Sequence, residues 1–404
     1  MFSSEPIPRK RKRLALALVP LLFLANGASP EIADVPVKKL DEAGLESSIL
    51  RGVEFLLQDQ NKNGSWGSAR NTKGLNIYAP VPGAHHAFRC GVTAMCVLAL
   101  IESKTDSTNS KVSEAIEKGE AWLLENLPRL RRSEGTALYN VWGHAYGIQA
   151  LAAMHRRADG DPARKKRIEE VGREQIELLR RYESVDGGWG YYDFKAQAKQ
   201  PSSYSTSFVT AAVLVAFHEA TKIGLVIPED RIRRAVASIH LQQKPDFSYA
   251  YSLDHRMSPM RGINRPAGSL GRSQACNVAL RYWGDTNITE SVLVEWLDRL
   301  VVRNGWLDIG RKRPIPHEAW FQVAGYFFYF GHYYAALCIG ELNETLAPKY
   351  RQELAGLIVP LQEKDGSWWD FPFYDYHQPY GTAFALMTLA RCQSPSKHDS
   401  VPAR

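Results

Sequence analysis

Two kinds of apolar segment alternate along the chain. The first kind is amphipathic. Leu45 to Gln58 reads LESSILRGVEFLLQ and sets Leu, Ile, Val and Phe at helical spacing. Val112 to Leu127, Ala163 to Tyr182, Pro228 to Gln243, Thr289 to Val302 and Ala347 to Glu363 follow the same pattern. The second kind is rich in Ala, Gly and Ser and has little polar face, as in CGVTAMCVLAL (Cys90 to Leu100), STSFVTAAVLVAF (Ser205 to Phe217) and GTAFALMTLA (Gly381 to Ala390). An amphipathic helix can face water on one side, whereas a helix without a polar stripe has to be buried. The first kind therefore predicts outer helices and the second inner ones. Strand signals are weak apart from short stretches such as Asp246 to Ser252. The pattern predicts an all-α fold, an (α/α)6 toroid of six outer and six inner helices.

Glycine-tryptophan turns punctuate the alternation. NGSWG (Asn63 to Gly67), DGGWG (Asp186 to Gly190), NGWLD (Asn304 to Asp308) and DGSWW (Asp365 to Trp369) each precede an inner segment. The second repeat lacks such a turn, and Asp246-Phe247-Ser248-Tyr249 substitutes for it in the fourth. Glycine there is expected to supply positive φ, with tryptophan wedged between hairpins. Aligning the inner segments gives an anchor column of Gly91, His144, Thr206, Ser273, His332 and Thr382, spaced by 53, 62, 67, 59 and 50 residues. Such a period marks a repeat whose units bury their apolar faces against one another. The toroid is expected over 45–393, with a polar tail at 394–404.

The N-terminus carries a separate signal. Five consecutive basic residues, Arg9 to Arg13, precede the apolar run Leu14 to Ala25, and small residues follow at Ala25, Gly27 and Ala28. A run of about 12 residues is short of the roughly 20 that span a bilayer. Residues 1–28 read as a cleaved signal peptide and 29–44 as a linker, giving a secreted or periplasmic protein; an uncleaved N-terminal anchor is the alternative. The net charge of +7 shrinks accordingly, because residues 1–28 hold five basic residues and one acid, leaving 45 basic against 42 acidic and +3. No basic stripe with interleaved aromatics suggests nucleic acid. The five cysteines, Cys90, Cys96, Cys276, Cys338 and Cys392, form no CxxC pair and read as small core residues.

A glutamine followed closely by Gly-x-Trp, as Gln58 with Gly64-Ser65-Trp66 and Gln362 with Gly366-Ser367-Trp368, resembles the QW-type repeat of the squalene/oxidosqualene cyclase and protein prenyltransferase superfamily. The resemblance runs from Leu45 to Cys392 and implies the toroid. It does not carry over a mechanism. The Asp-x-Asp-Asp and Asp-Cys-Thr-Ala-Glu acids of the cyclases are absent, as are the Asp-Asp-x-x-Asp of diphosphate-ionising synthases, the Asp-x-Cys pair of the zinc prenyltransferases and the Gly-Cys-Gly-Glu-Gln thioester. No metal and no cofactor is expected.

Candidate chemistry is expected where the inner helices begin. His144 and His332 share one position in opposite hairpins and could act as acid or base. Two residues before the anchor stand Arg89, Trp142, Tyr204, Phe330 and Tyr380, a π-rich wall suited to binding a ligand. The segment Trp369 to His377 sets Asp370, Asp375 and His377 among aromatics, and a buried Asp375 would be a proton donor of raised pKa. Arg261, Arg265 and Arg272, with Arg303, Arg311, Lys312, Arg313 and His317, precede the fourth and fifth inner helices and suit an anionic head group.

Three readings remain open on sequence. One is an exported toroid that holds a hydrophobic, polyisoprenoid-like molecule or a protein partner in its central cavity. Another is a terpene-cyclase-like enzyme using a loop carboxylic acid. The third is a secreted polysaccharide lyase or hydrolase. Membrane contact is compatible with the first two without a spanning helix in the mature chain.

Overall fold

The computed structural model describes residues 40–73, 83–195, 201–202 and 205–393. The leader 1–28, most of the linker, the tail and Tyr204 lie outside them. The amphipathic segments form α1 (Glu42–Asp59), α3 (Ser110–Asn126), α5 (Pro162–Arg181), α7 (Glu229–His240), α9 (Glu290–Val302) and α12 (Ala347–Ile358). The small-residue segments form α2 (Ala84–Glu102), α4 (Asn140–Arg157), α6 (Ser207–Thr221), α8 (Leu270–Tyr282), α11 (Phe327–Ile339) and α13 (His377–Cys392), and α10 (Gly305–Asp308) is a single turn. Local chemistry sets several ends. Asp41, Asn109, Asp161 and Thr289 cap α1, α3, α5 and α9 through side-chain oxygens, and Pro162 opens α5. Pro360 stops α12 short of the expected Glu363, leaving a 3-10 turn.

The inner helices pack in the cyclic order α2, α4, α6, α8, α11, α13 and back to α2, so the ring is closed. Each outer helix lies against the inner helix that precedes it: α3 on α2, α5 on α4, α7 on α6, α9 on α8, α12 on α11 and also on α13. The first outer helix, α1, completes the ring against α13. Packing thus follows the inner helix that comes before, because the inner-to-outer connections are short and the outer-to-inner ones long; α12, which also packs on the α13 it leads into, is shared. All the long connections therefore gather at one end, where inner helices begin. They are stitched to one another: Leu138 N donates to Tyr191 O, Ser207 N to Tyr251 O, Arg261 to Gln322, Lys312 N to Asp370 O, and Thr72 to Tyr374 O.

The glycine-tryptophan turns hold both layers together. The indole N–H groups of Trp66, Trp189 and Trp368 donate to Leu56 O, Leu179 O and Ile358 O of the preceding outer helix, at 2.8, 2.9 and 3.0 Å. Their backbone N–H groups donate to Thr93, Thr210 and Thr382 of the following inner helix, at 3.1, 3.0 and 3.0 Å. All three indoles are fully buried. Asp246 to Tyr249 makes the same turn, with Phe247 at φ 56 in the glycine position. Arg303 to Asp308 does not: Trp306 sits on α10 and stacks on Phe321. The glutamine that matches Gln362 is Gln60, not Gln58. Gln60 and Gln362 each donate to the turn glycine and to the next outer helix, whereas Gln58 bonds only Glu54 on the surface.

These hydrogen bonds also correct the register. Thr93, Thr210 and Thr382 play one role, and His144 and His332 turn the same way toward the outer layer. The equivalent residues are thus two and four places beyond the expected Gly91 and Thr206. The five cysteines are buried and unpaired, and burial pushes the Cys90 and Cys276 thiols up to about 12. The helix α2 is long and apolar enough to cross a membrane, but it is an inner helix of the ring.

At Gly366 (φ +90) a Cβ would lie 2.5 Å from Arg51 O, whereas at Gly160 (φ +89) it would meet nothing within 4 Å. Gly366→Ala is expected to cost about 3 kcal/mol and Gly160→Ala about 1 kcal/mol. Urea unfolding of the two variants checks this, and equal costs would mean that the turn does not wedge against α1.

Candidate functional site

Two residues back from the corrected outward column, the inner helices point a second set of side chains toward the axis. Trp142, Phe208, Phe330 and Tyr380 occupy it. Trp142 stacks on Phe208 (6.0 Å) and meets Phe330 edge-on (6.2 Å), and Phe384 links Phe330 to Tyr380. Phe208 thus takes the place expected for Tyr204. One turn deeper, Tyr146, Tyr333, Tyr334 and Phe384 are all buried and in ring contact with one another or with Phe330. The axis is filled there, and what remains open is its mouth. Trp142 and Tyr380 are only half-buried, as are Tyr139, Tyr191, Tyr326 and Phe373 of the connections above them.

The rim is aromatic with polar tips. Tyr139 pairs with Tyr192 and Tyr191 with Tyr251 through their hydroxyls. Tyr326 O–H donates to His317 Nε2 (3.1 Å), whose Nδ1–H donates to Gln322 O (2.7 Å). Arg261 donates to His255 Nε2 (3.2 Å), and burial lowers the pKa of both histidines. Arg272 does not face a ligand. It is buried over the Tyr251 ring and spends its guanidinium on the carbonyls of Tyr249, Gly268 and Ile263. The tyrosine rim escaped sequence reasoning, although Tyr191 and Tyr192 directly follow a glycine-tryptophan turn.

The expected acid is present, but it is Asp370. This carboxyl is fully buried, accepts from Tyr380 O–H and from Tyr329 N (3.1 Å), and is pushed up to about 7 by burial against the opposing pull of those donors. Asp375, by contrast, is half-buried in an ion pair with Arg70 (3.1 Å) and accepts from Ser68 (2.8 Å), which suits a structural tie between the first and last connections. The fully buried acid of this segment is therefore Asp370, where Asp375 was expected. Asp59, behind it, is raised to about 7 by burial and then by Asp375.

The histidines are placed as supports. His144 reaches outward to Gln175 (2.7 Å) and stacks on Tyr182. His332 joins Phe328 O (2.7 Å) and the Asn304 amide (2.8 Å). Neither points at the mouth, which corrects the expectation that the anchor column lines the pocket. His377 donates from Nδ1 to Tyr374 O (2.7 Å) and presents its ring to the edge of Trp369. Burial lowers all three to about 4, so they are neutral. Arg89 is half-buried near Tyr376, whose hydroxyl burial raises to about 12 against the pull of that guanidinium. Among the described residues no group of three His, Cys, Asp or Glu is placed to hold a metal ion.

No protein-family model matches the chain, and no curated protein matches it. Solved structures do. An unsaturated glucuronyl hydrolase specific for heparin aligns over 87% of this chain and 97% of its own, at 12% identity and TM-score 0.55. D-mannose isomerase aligns over 87% and 97%, at 11% identity and TM-score 0.53. The type II terpene cyclase MstE from Scytonema aligns over 87% and 98%, at 16% identity and TM-score 0.47. At these identities the likeness is one of fold. The chain is an α/α toroid, the fold it shares with the glucuronyl hydrolase and the mannose isomerase.

The Asp370 environment gives a signed pH dependence. Its folded pKa lies above its unfolded one, so its contribution is present at low pH and lost as pH rises from about 4 through about 7. Asp59 acts in the same direction over the same window. Asp370→Asn removes one of the two contributions. Across that window, its urea midpoint is expected to fall less than that of the unaltered protein; parallel curves would mean that this carboxyl titrates normally.

Proposed function

We propose that the protein binds an apolar, prenyl-like small molecule at the aromatic mouth of the ring, with Tyr380 as the proton-transfer group and Asp370 behind it. The observation that carries this reading is the Asp370–Tyr380 pair set among the axis-facing rings. Trp142, Phe208 and Phe330 offer π faces to an apolar chain or to positive charge developing on it. Tyr380 O–H donates to Asp370, and a carboxyl titrating near 7 is populated in both protonation states, so when a basic atom of the ligand accepts the phenol proton, the protonated Asp370 can pass its own proton to the Tyr380 oxygen. The filled axis limits the ligand to the mouth and argues against a long chain folded inside the ring.

Farnesol is the probe. It is expected to raise the melting temperature of the protein, and Trp142→Leu or Phe330→Ala is expected to reduce that rise by at least half. Tyr380→Phe is expected to leave the rise intact, since it keeps the ring and loses only the hydroxyl. A farnesol response unchanged in Trp142→Leu would sink the assignment of the mouth.

A second reading is favoured by the rim. The paired phenols of Tyr139, Tyr191, Tyr192 and Tyr251, with His255 and His317 beside them, suit the stacking and hydroxyl contacts of a sugar. Stabilisation by an oligosaccharide in place of farnesol would select it. We further propose that the protein acts outside the cytoplasm, on the strength of Arg9 to Arg13 followed by Leu14 to Ala25. N-terminal sequencing of protein expressed in a bacterial host is expected to begin near Asn26 to Ser29; an intact Met1 in the membrane fraction would instead indicate an anchor.

A further inference from the structure

Two connections at the mouth combine exposed apolar side chains with unpaired cations. Met257 and Met260 precede α8 and are 79% and 72% exposed; Trp320, before α11, is 76% exposed, and Ile315 is exposed beside it. The two connections touch: Arg261 donates to Gln322, and Gly262 packs on the backbone of Phe321. Over 254–265 and 303–322 there are seven basic residues against three acids, although the whole of 29–404 carries only +3. The acids are already engaged, Asp254 with Lys195, Asp308 with Arg311 and Glu318 with Arg313. Among the described residues Arg256, Arg261, Arg265 and Arg303 have no carboxylate partner, and the first three are exposed with Met257 and Met260. Backbone strain concentrates here too, since Lys312, His317, Phe321 and Gln322 all adopt positive φ.

We infer that this rim is a docking face for an anionic lipid surface. Thioether and indole side chains that are exposed at the tips of two adjoining turns suit the interfacial layer, where apolar bodies enter the headgroups while guanidinium groups stay at phosphate level. Arginines without a carboxylate partner add electrostatic attraction to such a surface, and that attraction falls with salt. A globular acidic partner would use the charge but not the isolated, outward Met and Trp tips. The bilayer uses both. Docked this way, the mouth would face the lipid, which goes beyond the ligand assignment and does not depend on it.

The test is co-sedimentation of the full chain with vesicles of phosphatidylcholine alone or mixed with phosphatidylglycerol. The mixed vesicles are expected to take up the protein and the neutral ones not, with uptake reduced at high salt. Every variant shares the same N-terminus, so differences between variants report on the rim. Arg256→Gln/Arg261→Gln/Arg265→Gln is expected to weaken uptake by about tenfold or more. Independently, brominated lipid in the mixed vesicles is expected to quench indole emission, and Trp320→Phe to lose part of that quenching. Quenching that is the same with and without Trp320, or uptake untouched by the arginine changes, overturns the proposal. Retention on soluble polyglutamate with no uptake by either vesicle also overturns it and assigns the rim to an acidic macromolecule.

Discussion

Everything else in the molecule depends on how a buried indole ties two helical layers together at a turn. In three sectors the same tryptophan spends its side-chain N–H on the end of an outer helix and its backbone N–H on an inner-helix threonine. The glycine two residues before it has a positive φ and abuts the next outer helix, at Lys118, Arg234 or Arg51. One turn thus fixes three helices at once. Each such hydrogen bond contributes only about 1 kcal/mol net, but the indole between them buries a large apolar surface and cannot be replaced by a smaller group without a cavity. Where the sequence lacks the turn, as before α4, a 3-10 turn at Leu127–Arg129 and the packing of Leu127 and Leu130 against Gly147 and Gly143 occupy the space.

Fixing the layers also fixes where chemistry can occur. Short inner-to-outer loops close one end, and the long connections crowd the other. The axis is filled by the buried rings of Tyr146, Tyr333, Tyr334 and Phe384, which leaves its mouth as the part open to a ligand among the described residues. Asp370 reaches that place because the residue before it, Trp369, follows the last wedge, and because the carboxyl meets Tyr380 and the N–H of Tyr329 at the start of α11. Burial then raises its pKa. The same arrangement leaves His144 and His332 facing the outer layer, where they act as hydrogen-bonding spacers.

The architecture was legible in the sequence because its signals are local. Amphipathic spacing identified the outer helices, and Trp66, Trp189 and Trp368 marked the wedges. Register was harder to read. An inner helix such as α6 is apolar on every side, so nothing in Ser205 to Phe217 says which face meets the axis; only the bond from Trp189 to Thr210 does. That is why Tyr204 was expected where Phe208 stands. Gln58 and Gln60 are both two-turn neighbours of the same wedge, and only packing against α3 distinguishes them. Asp370 and Asp375 differ in burial and in partners, both set by distant segments, which is why the segment was readable and the residue was not. Trp306 follows a glycine directly, but two residues before it stands Asn304, where the three wedges have their positive-φ glycine, so this departure was visible in the spacing.

The seam between α1 and α13 governs the order in which the ring can form. Gln362 bonds the Ser48 carbonyl at 2.9 Å across 314 residues, while neighbouring sectors join over far shorter separations. The added entropy of closing so long a loop is modest, about 0.6 kcal/mol per doubling of length. Its effect on rate is larger, because such a contact forms only after the sectors between have assembled. During synthesis α1 emerges first, yet the surface that covers its apolar face comes last. A chain cut short anywhere before α13 is therefore an open horseshoe whose first helix lacks the inner helix that covers it, so ring closure waits on the last inner helix.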